Sequence, residues 1–434
     1  RPPRPEVWSA RRAHFASYVG LFLFTAFVFF RPYELFSLPL LREGAQVLAI
    51  FTLAVYFPSQ LAAENSLTAR PREVNFALLL LLTALLSIPM AISPGEAWGN
   101  FVEFLKVILM FVVMVNVVRT EGRLRGLFLL VMAASILLSY SAFVDFRSGR
   151  LAYGGQRVKG MLGGLFDNPN DLALHLVTMA PLAVGLAFAR RGVLAKALYA
   201  CCAALFVAGV VVSFSRGGFL GLVAASAVLA WKLGRKNRFV VMTLGAVALT
   251  VFIAAAPGGY GGRLTSMFGG DATGSASARQ GLFWRSVLVA LRYPLFGVGL
   301  GNFYYKAQHD QTSHNAYTQV AAEMGMAALA FYVMFMVSSL KRLREIERES
   351  LAAKDRAAFY YLAIGLQGSL VGYMVSSFFA SVAHLWYVYY LVGYAVCLRR
   401  IYALKYGVGP PADESPGQAR GHAGAASPAG ALPI

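Results

Sequence analysis

The sequence predicts an all-α, polytopic integral membrane protein with about twelve transmembrane helices. Three observations predict it. Apolar residues make up 58% of the 434 and charged residues only 14%, whereas soluble domains carry about 25% charged residues. The apolar residues cluster in runs of about 17 to 25, the length a helix needs to cross a hydrocarbon core ~30 Å thick. Lys and Arg gather in alternate connections between those runs, the pattern that sets orientation in a membrane.

Taken in order, the runs place five spans at about 15–30, 47–63, 74–92, 100–118 and 124–143. A connection over 145–170 leads to four more at about 171–189, 195–214, 217–233 and 238–256. A long connection over 257–313 precedes the last three, at about 315–339, 357–379 and 383–400. With a cytoplasmic N-terminus, the inside segments hold 26 of the 39 Lys and Arg and the outside segments 12, with Lys106 inside a span. Residues 1–14 are then a cytoplasmic segment, 15–406 the transmembrane domain, and both termini are cytoplasmic. The tail over 407–434 (GVGPPADESPGQARGHAGAASPAG and onward) cannot bury apolar surface and is expected to be disordered.

The net charge of +19 does not point to nucleic acid, because no basic soluble domain or aromatic–basic face accompanies it. Cys201, Cys202 and Cys397 lie inside apolar runs, which gives neither a disulfide framework nor a metal site. Glu103 and Lys106 share a helix face and read as a mutually neutralised pair rather than a proton relay. No internal repeat is visible, which weighs against carriers built from two related halves.

Functional signals concentrate outside. The two long outer loops carry Arg157 and Lys159, then Arg279, Arg285 and Arg292, on the side where the charge rule disfavours cations. Arginine there suits an anionic ligand, since its planar fork matches phosphate; snorkelling to headgroups is the bland alternative. Arg216, in SFSRGGFLGL, begins a helix at the outer surface with almost no loop to hold it. Gly217 and Gly218 would let the backbone approach a ligand, and Ser213 and Ser215 add hydroxyl donors at a helix N-terminus.

The segment SASARQGLFWRSVLVALRYPLFGVGLGNF predicts a helix from about Ser275 to Tyr293, stopped by Pro294. Arg285 and Arg292 share a face, while Arg279 lies about 120° away, so one helix cannot direct all three at a single small ligand. Arg279 is favoured for the site. The run Gly297, Gly299, Gly301 is a weak nucleotide signal without a preceding strand. In QTSHNAYTQVAAEMG, Thr312 or Ser313 is the expected cap, which puts His314 and Asn315 in the first turn and Glu323 about two and a half turns deeper. Histidine exchanges protons near neutral pH, although a lone one is more often structural. Asp167 and Asp171 flank Asn168-Pro169-Asn170, which reads as a cap for the sixth span rather than a metal site.

The pattern RGGFL at Arg216 and the pattern HNAYTQVAAEMG at His314, in this order and separated by one large outer loop, resemble the bacterial O-antigen ligase family and its relatives, the O-antigen polymerases and oligosaccharyl ligases. The second pattern ends GMAA, with Ala328 where the ligases usually carry glycine. The Arg279 segment with Trp284 and PLFGVGLGNF is similar to the family's loop, and FDNPNDLAL to a stretch of some exopolysaccharide members. Usable motifs cover about 160–340.

The resemblance implies a C-type glycosyltransferase fold in the bacterial inner membrane, with its site at the periplasmic face and with periplasmic loops over 145–170 and 257–313. It implies transfer of a glycan from an undecaprenyl-pyrophosphate donor to a hydroxyl of lipid A-core or another glycan or lipid acceptor, by an inverting step needing no metal and no cofactor, among membrane lipids and without nucleic acid. It also implies catalytic roles for Arg216, Arg279 and His314, the last as base or as donor to the phosphate. Arg216 and Arg279, with Arg285, Asn315, Ser215, Arg157 and Lys159, would bind substrate. An O-antigen or exopolysaccharide polymerase with the same donor chemistry is the alternative, followed by a lipid-linked oligosaccharide flippase or transporter.

Overall fold

Helix coincides with each expected span in the computed structural model, which describes residues 14–35, 41, 43–150, 158, 166, 168–255, 274–307, 311–351 and 353–407. The main helices are α1 (Phe15–Phe30), α2 (Gly44–Glu64), α3 (Arg72–Ser87), α4 (Pro94–Val117), α5 (Glu121–Arg147), α6 (Pro169–Ala189) and α7 (Val193–Val212). They continue as α8 (Arg216–Ala255), α9 (Gly274–Arg292), α10 (Ala316–Met324), α11 (Met326–Leu351), α12 (Ala357–Ser376) and α13 (Trp386–Tyr406). Residues 1–13, 151–157, 159–165, 167, 256–273, 308–310 and 408–434, with Arg157, Lys159, Asp167 and His309 among them, lie outside the described residues.

Among the described residues nine helices, α2 to α8 with α11 and α12, are long and apolar enough to cross a membrane. Twelve spans were expected, and the three regions not among the nine are helical as well. α1 has only 16 residues. The expected spans 217–233 and 238–256 form one unbroken helix of 40 residues, α8, because Lys and Arg between them are good helix formers and a lone Gly234 costs only about 1 kcal/mol. α13 is diluted by tyrosines. These tyrosines face protein, not lipid: Tyr387, Tyr389, Tyr390, Tyr394 and Tyr402 are all buried, and the Tyr390 hydroxyl meets Thr25 Oγ1 at 2.8 Å.

The expected span 315–339 also divides, into α10 and α11. Gly325 makes the break at φ +91°, and a Cβ there would strike the Leu295 carbonyl. Into this break docks the glycine turn that follows α9. Val298 N–H donates to Ala322 O (2.9 Å), Gly299 N–H to Glu323 O (3.0 Å), and Met326 N–H to Pro294 O (2.8 Å). Gly297, at φ +66°, would drive a Cβ into the Glu323 carbonyl. The glycine run is therefore a backbone docking device, fixing α9 to α10. Gly297→Ala is expected to cost at least ~1–3 kcal/mol from the left-handed backbone alone, read as a lowered melting temperature in detergent; an unchanged transition would show that the turn is not a fixed joint.

α6 and α12 approach closely where Gly185 faces Gly365, a Cβ on Gly185 lying 3.1 Å from the Gly365 Cα, the small-residue contact that lets membrane helices pack. At one end of the bundle lie the ion pairs. Arg342 on α11 grips Glu73 on α3 bidentately (Nε to Oε1 3.0 Å, a terminal nitrogen to Oε2 2.8 Å), both side chains buried. Arg119–Glu64 (2.6 Å), Lys232–Glu347 (2.5 Å) and Arg399–Glu349 (2.7 Å) share that end. Lys106 and Glu103 pair at 2.6 Å, as their spacing predicts.

Candidate active site

The opposite end of the bundle carries two turns of the same construction. In Ser213–Phe214–Ser215 and in Ser313–His314–Asn315, the middle residue is left-handed, at φ +53° for Phe214 and +51° for His314. The first serine's Oγ accepts the N–H of the third residue, at 3.2 Å from Ser215 and 3.4 Å from Asn315. The third side chain then caps the next helix. Ser215 Oγ accepts from Gly218 N–H (3.1 Å) at the start of α8, and Asn315 Oδ1 accepts from Tyr317 N–H (2.9 Å) and Thr318 N–H (3.0 Å) at the start of α10. A left-handed residue other than glycine costs ~1–3 kcal/mol and persists only where its surroundings fix it. These turns are so fixed, and they aim His314 and Arg216.

This arrangement corrects several expectations. Asn315, not Thr312 or Ser313, caps α10, and His314 precedes the helix instead of sitting in its first turn. Asn315 builds the turn from within: it is buried, its oxygen is taken by the cap, and its Nδ2 has no partner among the described residues. Ser215 is likewise internal, since its hydroxyl donates to Asn170 Oδ1 at 2.9 Å, while Ser213 donates to Val210 O at 2.6 Å. Both hydroxyls donate within the protein. Gly217 and Gly218 serve packing rather than ligand approach, because a Cβ would meet Phe379 Cβ at 2.6 Å and Ala173 Cβ at 2.5 Å respectively. Glu323 lies buried at the far end of α10, with the Gly301 and Phe303 amides and Gln319 about it, and so belongs to the glycine turn and not to the His314 turn.

Sequence reasoning missed Asn170 and Ser376. Asn168 caps α6 by accepting from Asn170 N–H at 2.9 Å, the Asx turn expected of this segment. Asn170 then reaches across to Ser215, and Ser376 on α12 donates to Gly217 O at 3.1 Å. Arg216 is thus clamped between α6 and α12. Such contacts cross 45 and 159 positions of sequence, and only the NPN cap signal marks the first of them. Asn170→Ala is expected to lower turnover about tenfold or more, because a buried hydrogen-bond partner is worth ~1–3 kcal/mol. Asn170→Asp, which keeps the acceptor, should retain most of it, and equal loss in both would remove Asn170 from the positioning of Arg216.

α9 brings the second arginine. Its buried face carries Leu282, Ser286, Val289 and Ala290, the last two packed against Ala321 and Ala322 of α10, and Phe283 meets the Phe378 ring at 5.7 Å. Arg279 lies seven and eleven residues before Ser286 and Ala290, hence within about 20° of them, and points inward with that face. The Arg216 charge reaches Arg279 and the Arg279 charge reaches His314. Burial, then the Arg279 guanidinium, hold the His314 imidazole below its ordinary value. Burial, then Arg216, also lower Arg279, which stays protonated as guanidinium groups do. Arg285, exposed on another face, is not brought into this cluster.

Fold and cluster together define a multi-pass membrane protein with two arginines and a half-buried histidine gathered at one end of its helices. Residues 201–333 match the family model described as O-antigen ligase. Arg216, Arg279 and His314 all fall within the matched segment. Among solved structures the chain is similar to one described as "Structural coordination of polymerization and crosslinking by a peptidoglycan synthase complex", at 15% identity and a TM-score of 0.44, covering 76% of this chain and 97% of that one. No curated protein matches.

Proposed function

We propose that this protein transfers a glycan from an undecaprenyl-pyrophosphate donor to an acceptor hydroxyl, at the periplasmic face of the bacterial inner membrane, by a metal-independent inverting step. The observation that carries the reading is that Arg279 lies within electrostatic reach of both Arg216 and His314. In the step, the acceptor oxygen bonds to the sugar's anomeric carbon as its proton passes to the His314 imidazole. The bond from that carbon to the phosphate oxygen breaks, and its electron pair leaves with the pyrophosphate. Arg216 and Arg279 stabilise that growing negative charge, which is where preorganised donors contribute most. The depressed proton affinity of His314 supports the neutral form that a base requires.

Charge supports this orientation: the paired cations at the Arg342 end belong to segments read as cytoplasmic, in keeping with an Arg216 end that faces outside. An acceptor that is lipid A-core makes the protein a ligase, and an acceptor that is another lipid-linked glycan makes it a polymerase. Purified protein in nanodiscs is expected to consume a lipid-linked glycan, release undecaprenyl pyrophosphate and keep its rate in EDTA. Failure to consume it with any acceptor while moving it across a bilayer would replace the transferase by a flippase. Loss in EDTA restored by Mg²⁺ would assign the phosphate to a metal.

A further inference from the structure

Turned away from the Arg279 face, α9 presents a second chemistry. Trp284, Leu288 and Leu291 form one stripe along the helix and are 57%, 64% and 66% exposed, although α9 is not among the membrane-crossing helices. Beside the stripe opens a groove of about 530 Å³. Arg285 and Arg292 line it from α9, and Lys306 from the segment after the glycine turn, its Nζ 5.9 Å above the Tyr293 ring. Trp284, Leu288 and Tyr293 supply its apolar wall, and among the described residues no carboxylate lines it.

We infer that this groove binds an anionic phospholipid of the surrounding leaflet, its phosphate held by Arg285, Arg292 and Lys306 and its acyl chains laid along the exposed stripe. Three cations that meet no carboxylate among the described residues of the groove are complementary to a phosphate. A soluble anion would make no use of the apolar stripe that continues from them, whereas a lipid uses both. A helix with this division of faces lies in the plane of an interface, with Trp at headgroup level. Because Arg279 rides on the other face of the same helix, the bound lipid would also fix the height at which Arg279 enters the catalytic cluster.

The test is native mass spectrometry of the full chain released from nanodiscs of phosphatidylcholine mixed with phosphatidylglycerol. The wild-type protein is expected to retain phosphatidylglycerol in preference to phosphatidylcholine, and each of Arg285→Gln, Arg292→Gln and Lys306→Gln to reduce that preference about fivefold. Arg285→Lys, which keeps the charge and guards against misfolding as an explanation, should retain the preference. Trp284→Ala should weaken retention of both lipids. Equal retention of phosphatidylglycerol by the triple Gln variant would overturn the site, as would its complete displacement by inorganic phosphate, which would mean that the groove takes a bare anion.

Discussion

His314→Ala is expected to insert and pack like the native chain while losing about 10² to 10⁴ in turnover, the contribution of a positioned general base. The residue stands outside α10, half-buried, and the turn around it is held by Ser313 and Asn315 rather than by the imidazole, so little of the fold depends on it. The pH profile gives the sign. A base works when neutral, so the wild-type rate should fall as pH drops through the imidazole pKa. Burial and Arg279 lower that pKa, so the acid limb should lie below the ordinary value of ~6.5. Arg279→Gln removes one of the two lowering causes and should move the limb upward in whatever activity remains. A rate that rises on acidification would instead assign His314 to holding the phosphate as imidazolium.

Arg216→Ala should lower turnover by about 10² to 10³, since one preorganised donor to a developing oxyanion is worth a few kcal/mol. Arg216→Lys should recover little. The ammonium lacks the planar fork, and the clamp by Asn170 and Ser376 sets the backbone for a guanidinium's reach. The loss should fall on the rate at saturating donor more than on donor affinity. Near-native turnover of the Lys variant would reduce Arg216 to a generic surface cation.

Much of this was legible beforehand, and what was not has common causes. Hydropathy finds helices because lipid imposes length and composition on every crossing, and Pro294 marks the end of α9 within a residue of Arg292. Hydropathy cannot see that Lys232 to Arg238 fails to stop α8, since stopping a helix needs a cap or a proline, not charge. Arg216, Arg279 and His314 were visible as polar residues placed against the trend. Their supports were not. The Asn315 amide oxygen and the Ser215 hydroxyl advertise polar contacts in the sequence, and only the folded backbone reveals that the αL turns consume them. The glycine run resembled a ligand loop for the same reason: a backbone docked against another backbone requires the same absence of side chains as one docked against a phosphate.

The grip of Arg342 on Glu73 spans 269 positions, so its two halves leave the ribosome far apart in time. Until α11 enters the bilayer, the Glu73 carboxylate lacks its partner, and a buried charge left uncompensated costs ~3–5 kcal/mol. The early helices therefore wait, threaded but unsealed, for the late ones. A product truncated before Arg342 stays incomplete at this joint and exposed to quality-control proteases, and co-expressing the missing helices as a separate piece is the direct means of closing it.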